Sequence, residues 1–154
     1  MGAPFTIERF EYQMWGENAA GFYGLTLVFC NTPLDVLGGN FEFNYGGNEP
    51  ATVYRAEYEY IETTTDCWAG FDLDPAFWYD GESNLLVEIL WADDEDHAVY
   101  TWGRDTGAAT YVGGGYGSET GDIYSLGLRM KLVGDYGPST VEPASLGRVK
   151  AGWR

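Results

Sequence analysis

Hydrophobic and polar residues alternate along most of this chain. Phe10, Tyr12 and Met14, for example, are separated by Glu11 and Gln13. An alternation with a period of two places successive side chains on opposite faces of a β-strand. The same alternation recurs at residues 25–29, 41–45, 53–62, 85–91, 99–100 and 124–132. Many short strands of this kind predict an all-β fold in which two antiparallel sheets pack as a sandwich.

The segments between these strands contain residues that turn the backbone. Asp80 and Gly81 separate two predicted strands, and Gly46 and Gly47 follow another. Because glycine adopts positive φ without a steric penalty, both pairs predict tight turns. Residues 111–121 are rich in glycine and predict a long exposed loop.

The C-terminal segment has a different pattern. Leu146, Val149 and Trp153 have the spacing of one side of a short helix. A chain of 154 residues suits one domain with its own core. We therefore predict a β-sandwich domain over residues 1–137 and a basic C-terminal tail or linker over residues 138–154.

Charge is distributed unevenly between these two parts. The net charge of the chain is −16, with 5 Lys or Arg against 23 Asp or Glu in residues 1–137, and 3 against 1 after them. A body this acidic repels phosphate groups, which argues against a nucleic-acid partner. No apolar run of about 18 residues is present, so we expect no membrane insertion. The acidity has three possible explanations: repulsion between molecules that keeps the protein soluble, the binding of divalent cations, or a saline environment in which the charge is screened.

One segment of the sequence resembles a known type of domain. It begins with a Trp-x-x-φ-x-Leu strand that contains Trp68, Phe71 and Leu73. A Phe-x-Tyr-Asp-Gly turn over residues 77–81 and an Asn-Leu-Leu-Val-Glu-Ile strand over residues 84–89 follow. This combination resembles the accessory domains of large secreted bacterial surface proteins. The resemblance implies a sandwich of jelly-roll type, an extracellular or cell-surface location and a non-catalytic accessory role.

The two cysteines, Cys30 and Cys67, are the only pair that can form a disulfide. A secreted chain is exposed to oxidising conditions, so we expect this bridge to form. The alternative is that both remain free thiols in buried positions. Two cysteines without metal-ligand spacing do not predict a zinc site.

Few residues of the chain suit catalysis. His97 is the only histidine, so any Ser-His or Cys-His arrangement requires it. The sequence contains no Gly-x-Ser-x-Gly motif around a nucleophile. We therefore predict that the protein is not an enzyme. An acidic hydrolase that uses paired carboxylates remains the alternative.

A cluster of acidic residues is the candidate metal site. Asp93, Asp94 and Asp96, together with Glu95, place four carboxylates in one connection. Calcium binds several hard oxygen ligands, and loops of β-proteins supply them. A solvated loop that keeps a strand edge from pairing is the alternative interpretation. A second, weaker group of candidate ligands consists of Asp72, Asp74 and Asp80.

Aromatic residues make up 17% of the chain, which is a high content. A sandwich core takes many of them, but aromatic residues at turns or beside glycine are harder to bury. We expect these to form an exposed binding surface. The candidates are Trp15, Trp78, Tyr79, Trp102, Tyr111 and Tyr116. Because Trp and Tyr rings stack on the apolar faces of sugars, the expected partner is a polysaccharide or glycan, and the expected function is carbohydrate binding or adhesion.

The alternative function is assembly with other copies of the chain. A basic and apolar tail containing Leu146, Val149 and Trp153 suits docking onto the acidic body of a neighbouring subunit. The protein would then be a structural subunit of an extracellular fibre or surface layer. Docking of the tail onto its own body is the competing interpretation.

Overall fold

The computed structural model describes residues 3–95, 99–135 and 149–153, the last of these through the backbone alone. Nearly all regular structure in these residues is β-strand. A single 3-10 helix spans Glu42–Tyr45 among the described residues. The strands are β1 (Phe5–Gln13), β2 (Asn18–Thr32), β3 (Ala51–Thr63), β4 (Trp68–Tyr79), β5 (Asn84–Leu90), β6 (Asp93–Asp94), β7 (Gly103–Asp105), β8 (Tyr111–Gly113), β9 (Asp122–Tyr124), β10 (Leu126–Leu128), β11 (Met130–Asp135) and β12 (Val149–Trp153).

These strands form two principal sheets and one small one. The smaller principal sheet has the strand order β11-β1-β4 and is antiparallel. The larger has the order β3-β2-β5-β12-β8-β9, with β6 also pairing with β2. In it, β12 runs parallel to both β5 and β8, and the other pairs are antiparallel. Strands β7 and β10 form a separate two-stranded sheet.

The core lies between the two principal sheets. Its largest side chains are fully buried and come from both sides: Phe5, Ile7 and Phe10 from β1, and Leu27, Phe29 and Val87 from the larger sheet. The rings of Phe10 and Phe29 meet edge to face with centroids 5.5 Å apart. Burial of such side chains is the main favourable term in the folding of a sandwich. The predicted all-β sandwich is confirmed, and its jelly-roll type stays a prediction.

A bulge in β1 allows the apolar residues on both sides of it to point into the core. Ile7 and Phe10 are three positions apart, yet both are fully buried. The pairing of β1 with β11 advances by two residues on β1 and by one on β11 between Ile7 and Arg9, which inserts one extra residue into β1. The pairing with β4 shifts at the same point, where the additional residues lie in β4 between Asp72 and Phe77. Such an insertion reverses the phase of the alternation, so apolar residues on both sides of the bulge point inward.

A second, smaller cluster covers part of the outer face of the larger sheet. Its buried members are Cys30, Leu37, Phe41, Leu86 and Val112. Phe41 precedes the 3-10 helix, where the alternation predicts a strand, and that prediction is wrong. The Asn44 side chain accepts a hydrogen bond from the Gly38 amide and donates one to the Gly38 carbonyl. This side-chain pairing replaces the hydrogen bonds that a neighbouring strand would supply.

Three other expectations of strand or helix differ from the structure. Residues 99–100 are not a strand, although the adjacent Thr101 forms an isolated bridge with Met14. The segment 124–132 contributes to three strands instead of one. Residues 149–153 form β12 and not the end of a helix, because both β5 and β8 offer backbone groups for pairing there.

The predicted turn at Asp80 and Gly81 is confirmed. Gly81 has a φ of 77°, in the left-handed region that favours glycine. The Asp80 carboxylate accepts hydrogen bonds from the backbone amides of Glu82 and Ser83 and from the Ser83 hydroxyl. Desolvation raises the pKa of Asp80, but these hydrogen bonds outweigh it and the pKa is lowered.

No helix among the described residues has the length and apolarity needed to cross a membrane.

The expected disulfide between the two cysteines is absent. Both are free thiols, with Cys30 buried in the outer cluster and Cys67 packed against the main core. They lie in different clusters because β2 directs Cys30 away from the inter-sheet space. Desolvation raises the pKa of Cys30 to about 11.

The two thiols therefore differ in predicted reactivity. Cys67 should react with a disulfide reagent such as DTNB at least about tenfold faster than Cys30, because the buried thiol forms little thiolate. The reaction should then show a fast and a slow phase, and the Cys30→Ser and Cys67→Ser variants identify which thiol gives each phase. Detection of no free thiol before reduction would contradict the structure.

The core predicts a large difference between two phenylalanines. Phe10→Ala should lower the free energy of unfolding by about 3–5 kcal/mol, because it leaves a cavity between the sheets. Phe43 is 75% exposed and provides the matched control. Phe43→Ala should change stability by less than about 0.5 kcal/mol. Urea unfolding monitored by fluorescence measures both, and equal losses would contradict the assigned core.

Candidate functional site

The outer face of the smaller sheet carries the most distinctive group of exposed side chains. Since Tyr12 and Met14 point into the core, Glu11, Gln13 and Trp15 point outward. Glu11 lies opposite Lys131 on one side and Gly70 on the other. The outer aromatic face consists of Arg9, Glu11, Gln13, Trp15, Asp66, Trp68, Asp72, Tyr100, Trp102, Arg129 and Lys131.

Three aromatic side chains meet at one end of this face. The Trp15 ring lies 6.0 Å from the Tyr100 ring and 6.3 Å from the Trp102 ring, both edge to face. The backbone positions them, because the Trp15 amide donates to the Tyr100 carbonyl and the Trp102 amide donates to the Gln13 carbonyl. Trp15 and Tyr100 are each about half exposed, at 53% and 50%. The three rings form an aromatic corner.

Polar contacts fix the orientation of Trp102. Its indole Nε1 donates to the Asp66 carboxylate at 2.8 Å. The guanidinium of Arg129 lies 5.5 Å from the ring centroid and donates to the Gln13 side-chain oxygen at 2.9 Å. Asp66 has a φ of 60°, a left-handed conformation that Asp tolerates better than most residues. The turn between β3 and β4 thus places a carboxylate where it holds the indole.

An ionic network occupies the middle of the face. Glu11 accepts from Arg9 Nε at 2.8 Å and from Lys131 Nζ at 2.6 Å. Arg9 also donates to Asp72 at 2.6 Å. Lys131 lies 5.7 Å from the centroid of the Trp68 ring, which links the network to an exposed aromatic side chain.

Gly70 allows Glu11 to lie close against the sheet. A Cβ added at Gly70 would come within 2.5 Å of Glu11 Cγ and within 2.3 Å of the Phe10 carbonyl oxygen. Glu11 is only 8% exposed, so its side chain lies closer to the sheet than the more exposed side chains of Trp68 and Arg9.

The same contacts determine how Glu11 titrates. The hydrogen bond from Arg9 and then that from Lys131 lower the pKa of Glu11, against the opposing effect of desolvation. The hydrogen bonds to Glu11 and Asp72 raise the pKa of Arg9 in return. Both groups are therefore charged over the physiological pH range.

The structure brings together only some of the aromatic residues selected from the sequence. Trp15 and Trp102 belong to the aromatic corner. Trp78 is 58% exposed and lies near the other end of β4. Tyr79 is only 5% exposed, so its selection as a surface residue was wrong: its ring packs against Phe5 and its hydroxyl donates to the Ser83 carbonyl.

The remaining two aromatic candidates lie on the larger sheet. Tyr111 is partly buried, and its ring lies 5.4 Å from that of Tyr124 on the neighbouring strand. Tyr116 is exposed in the glycine-rich connection between β8 and β9. Neither residue contributes to the outer aromatic face.

The acidic cluster has other contacts in the structure. Asp93 and Asp94 are exposed, and Asp94 accepts a hydrogen bond from the Trp91 indole. Glu95 accepts from the hydroxyls of Tyr23 and Tyr58. Asp96 and His97 lie outside the described residues. Within the part of the chain that is described, no three His, Cys, Asp or Glu side chains are grouped to hold a metal ion.

The residues selected for assembly can be placed only in part. Leu146 lies outside the described residues. Val149 and Trp153 are the first and last residues of β12, where their backbones pair in register with Leu85 and Ile89 of β5.

From the outer aromatic face, the sequence indicates Trp15 and Trp102 as binding residues, and Asp72 only as a weaker candidate metal ligand. Sequence reasoning misses five others: Asp66, Trp68, Tyr100, Arg129 and Lys131. The alternation around Glu11 and Gln13 already indicates a polar face on β1. Trp68 is identified from the sequence only as part of the motif that resembles accessory domains. Its outward phase relative to Phe71 was the signal that could have placed it on this face.

Comparison with protein-family models, with curated proteins and with solved structures finds no match. The geometry of the outer aromatic face is therefore the basis for a functional proposal.

The network around Glu11 predicts a pH-dependent stability. Glu11→Gln should lower the free energy of unfolding at pH 7 by about 1–2 kcal/mol, because two charge-assisted hydrogen bonds are lost. A lowered pKa in the folded state makes this contribution complete above about pH 5, and it disappears as pH falls through the folded pKa. Urea unfolding between pH 3 and pH 7 measures the difference between the two proteins.

Glu57 supplies the control, since it is exposed on β3. Glu57→Gln should change the free energy of unfolding only slightly, and this change should not disappear as the pH falls from 7 to 3. A difference between Glu11→Gln and the unmodified protein that stays constant from pH 7 to pH 3 would contradict the network.

Proposed function

We propose that the protein is a non-catalytic carbohydrate-binding module that holds its ligand on the outer aromatic face. Sugar rings present C–H groups that pack on Trp and Tyr rings, while their hydroxyls require hydrogen-bond donors and acceptors. Trp15, Tyr100 and Trp68 offer exposed rings on this face. The observation that carries the proposal is the combination of these rings with oriented polar side chains on one rigid sheet.

The face is organised before any ligand arrives. Trp102 is held from two directions by Asp66 and Arg129. Arg9 and Lys131 are held by the nearly buried Glu11. Side chains that are already ordered lose less conformational entropy on binding, so a flat surface of this kind can still bind with useful affinity.

The face continues along β4 toward a further exposed tryptophan. Trp68 and Trp78 both have outward phase, because Phe71, Leu73, Phe77 and Tyr79 point inward. The two tryptophans are ten positions apart on β4, a distance of at most roughly 34 Å. A surface of this length suits a polymer better than a single sugar.

The charge states on the face favour binding over hydrolysis. A glycosidase needs a carboxylic acid whose pKa is raised, so that it can protonate the leaving group. Glu11 has the opposite shift, because Arg9 and Lys131 stabilise its ionised form. Asp72 forms an ion pair with Arg9.

The resemblance of residues 68–89 to accessory domains supports an extracellular or cell-surface location for this module, and a jelly-roll type of sandwich. Exposed aromatic side chains on a surface protein also fit adhesion to a glycan-coated surface. Assembly through the C-terminal segment stays a prediction. The in-chain pairing of β12 gives no observation in its favour.

Substitution of the exposed rings tests the proposal directly. Trp15→Ala and Trp68→Ala should each weaken binding to an insoluble or gel-embedded polysaccharide by about tenfold, equivalent to about 1.4 kcal/mol. The loss arises from removal of a stacking surface and should not change the fold. Affinity electrophoresis in gels containing xylan, mixed-linkage β-glucan or galactomannan measures the retention.

Phe43→Ala and Tyr116→Ala are matched controls, since both remove an exposed ring that lies outside this face. They should be retained as strongly as the unmodified protein. The proposal is wrong if the unmodified protein is retained by no polysaccharide, or if the control substitutions weaken retention as much as Trp15→Ala.

A further inference from the structure

We infer that the ligand of the outer aromatic face is an uncharged polysaccharide, recognised through hydroxyl groups and apolar ring faces and not through ionic groups. This inference rests on the proposed carbohydrate function and narrows its ligand class. The observation behind it is that the charges on the face cancel, although the chain as a whole carries a net charge of −16.

Within residues 3–135, the cations are concentrated on this face. These residues contain five Lys or Arg, and three of them are Arg9, Arg129 and Lys131. An acidic body that places three of its five cations on one surface offers, at first sight, a site for an anionic ligand. The contacts of these three side chains argue against that interpretation.

Two of the three cations on the face form ion pairs with carboxylates of the same face. Arg9 and Lys131 bind the two oxygens of Glu11, and Arg9 also binds Asp72. The two cations and two carboxylates of this network sum to zero.

The aromatic corner contains one further cation and one further carboxylate. Arg129 and Asp66 hold Trp102 from different sides, one through the ring and one through the indole N–H. The eleven residues of the face therefore contain three positive and three negative side chains. The continuation of the surface along β4 to Trp78 adds the carboxylate of Asp74, so the surface has no excess of cations.

The surroundings make an anionic ligand still less favourable. Glu59 and Glu62 of β3 lie beside Trp68, along the edge where β3 meets β4. An anionic polymer would approach an acidic protein and would find no excess of cations on the face. A neutral polymer has no net charge, so the protein neither repels nor attracts it electrostatically at long range.

The paired groups remain able to bind hydroxyls. The Lys131 ammonium has three N–H donors and the Arg9 guanidinium has five, and their ion pairs use only some of them. The carboxylate of Asp72 is largely exposed and retains acceptor sites. The ion pairs fix these donors and acceptors beside Trp68, where the hydroxyls of a stacked sugar ring would lie.

The experiment compares three polymer classes at two salt concentrations. The full-length protein is run in affinity gels containing a neutral polysaccharide (xylan, mixed-linkage β-glucan or galactomannan), polygalacturonate, or chitosan. We expect retention by at least one neutral polymer, with affinities at about 50 mM and 500 mM NaCl that agree within about twofold, because screening of charges affects only ionic binding. We expect no retention by polygalacturonate at either salt concentration.

Glu62→Gln provides a variant that changes the charge beside the face by one unit and alters none of the eleven residues of the face. Its affinity for the neutral polymer should stay within about threefold of that of the unmodified protein. Retention by polygalacturonate or chitosan that disappears at high salt, in the absence of retention by neutral polymers, would overturn the inference while leaving carbohydrate binding intact. Retention by none of the polymers would instead overturn the carbohydrate function itself.

Discussion

Burial of aromatic and aliphatic side chains between the two sheets is the interaction on which the rest of the structure depends. Each strand must direct alternate residues into that space, and the residues between them are then directed to solvent. On β1, the burial of Tyr12 and Met14 fixes the outward direction of Gln13 and Trp15. The outer aromatic face is therefore a geometric result of core packing, and its side chains add hydrogen bonds and ion pairs to a surface that the core already positions.

The fold was predictable because this alternation is strong in the sequence. Phe10, Leu27 and Val87 occupy the buried phase of three strands, as their spacing indicates. The alternation failed where a local contact replaced strand pairing. Phe41 and Phe43 alternate as in a strand, yet the Asn44 side chain closes a compact turn with Gly38 and leaves one ring buried and the other exposed. In a strand, both rings would lie on the same face. The spacing of the two phenylalanines contains no signal for the side-chain hydrogen bonds that form the turn instead.

The candidate site was only partly predictable for a related reason. Trp15 and Trp102 were selected because each precedes a glycine, which is a local signal. Arg129 and Lys131 are far from them in sequence and reach the same face through the pairing of β11 with β1. Strand order and register decide such contacts, and a single sequence contains little information about either. The burial of Tyr79 illustrates the converse: a residue next to a turn can still have the inward phase.

The turn at Asp66, where the backbone is left-handed, connects the two sheets and also holds the Trp102 indole. Strand β3 belongs to the larger sheet and β4 to the smaller one, so the chain crosses from one layer to the other at this turn. The carboxylate that anchors the Trp102 indole is therefore attached to both layers. We expect a substitution that changes the spacing of the layers to move this carboxylate and, with it, the Trp102 indole. The volume of core residues would in this way influence the shape of the outer aromatic face, and with it the binding proposed for that face.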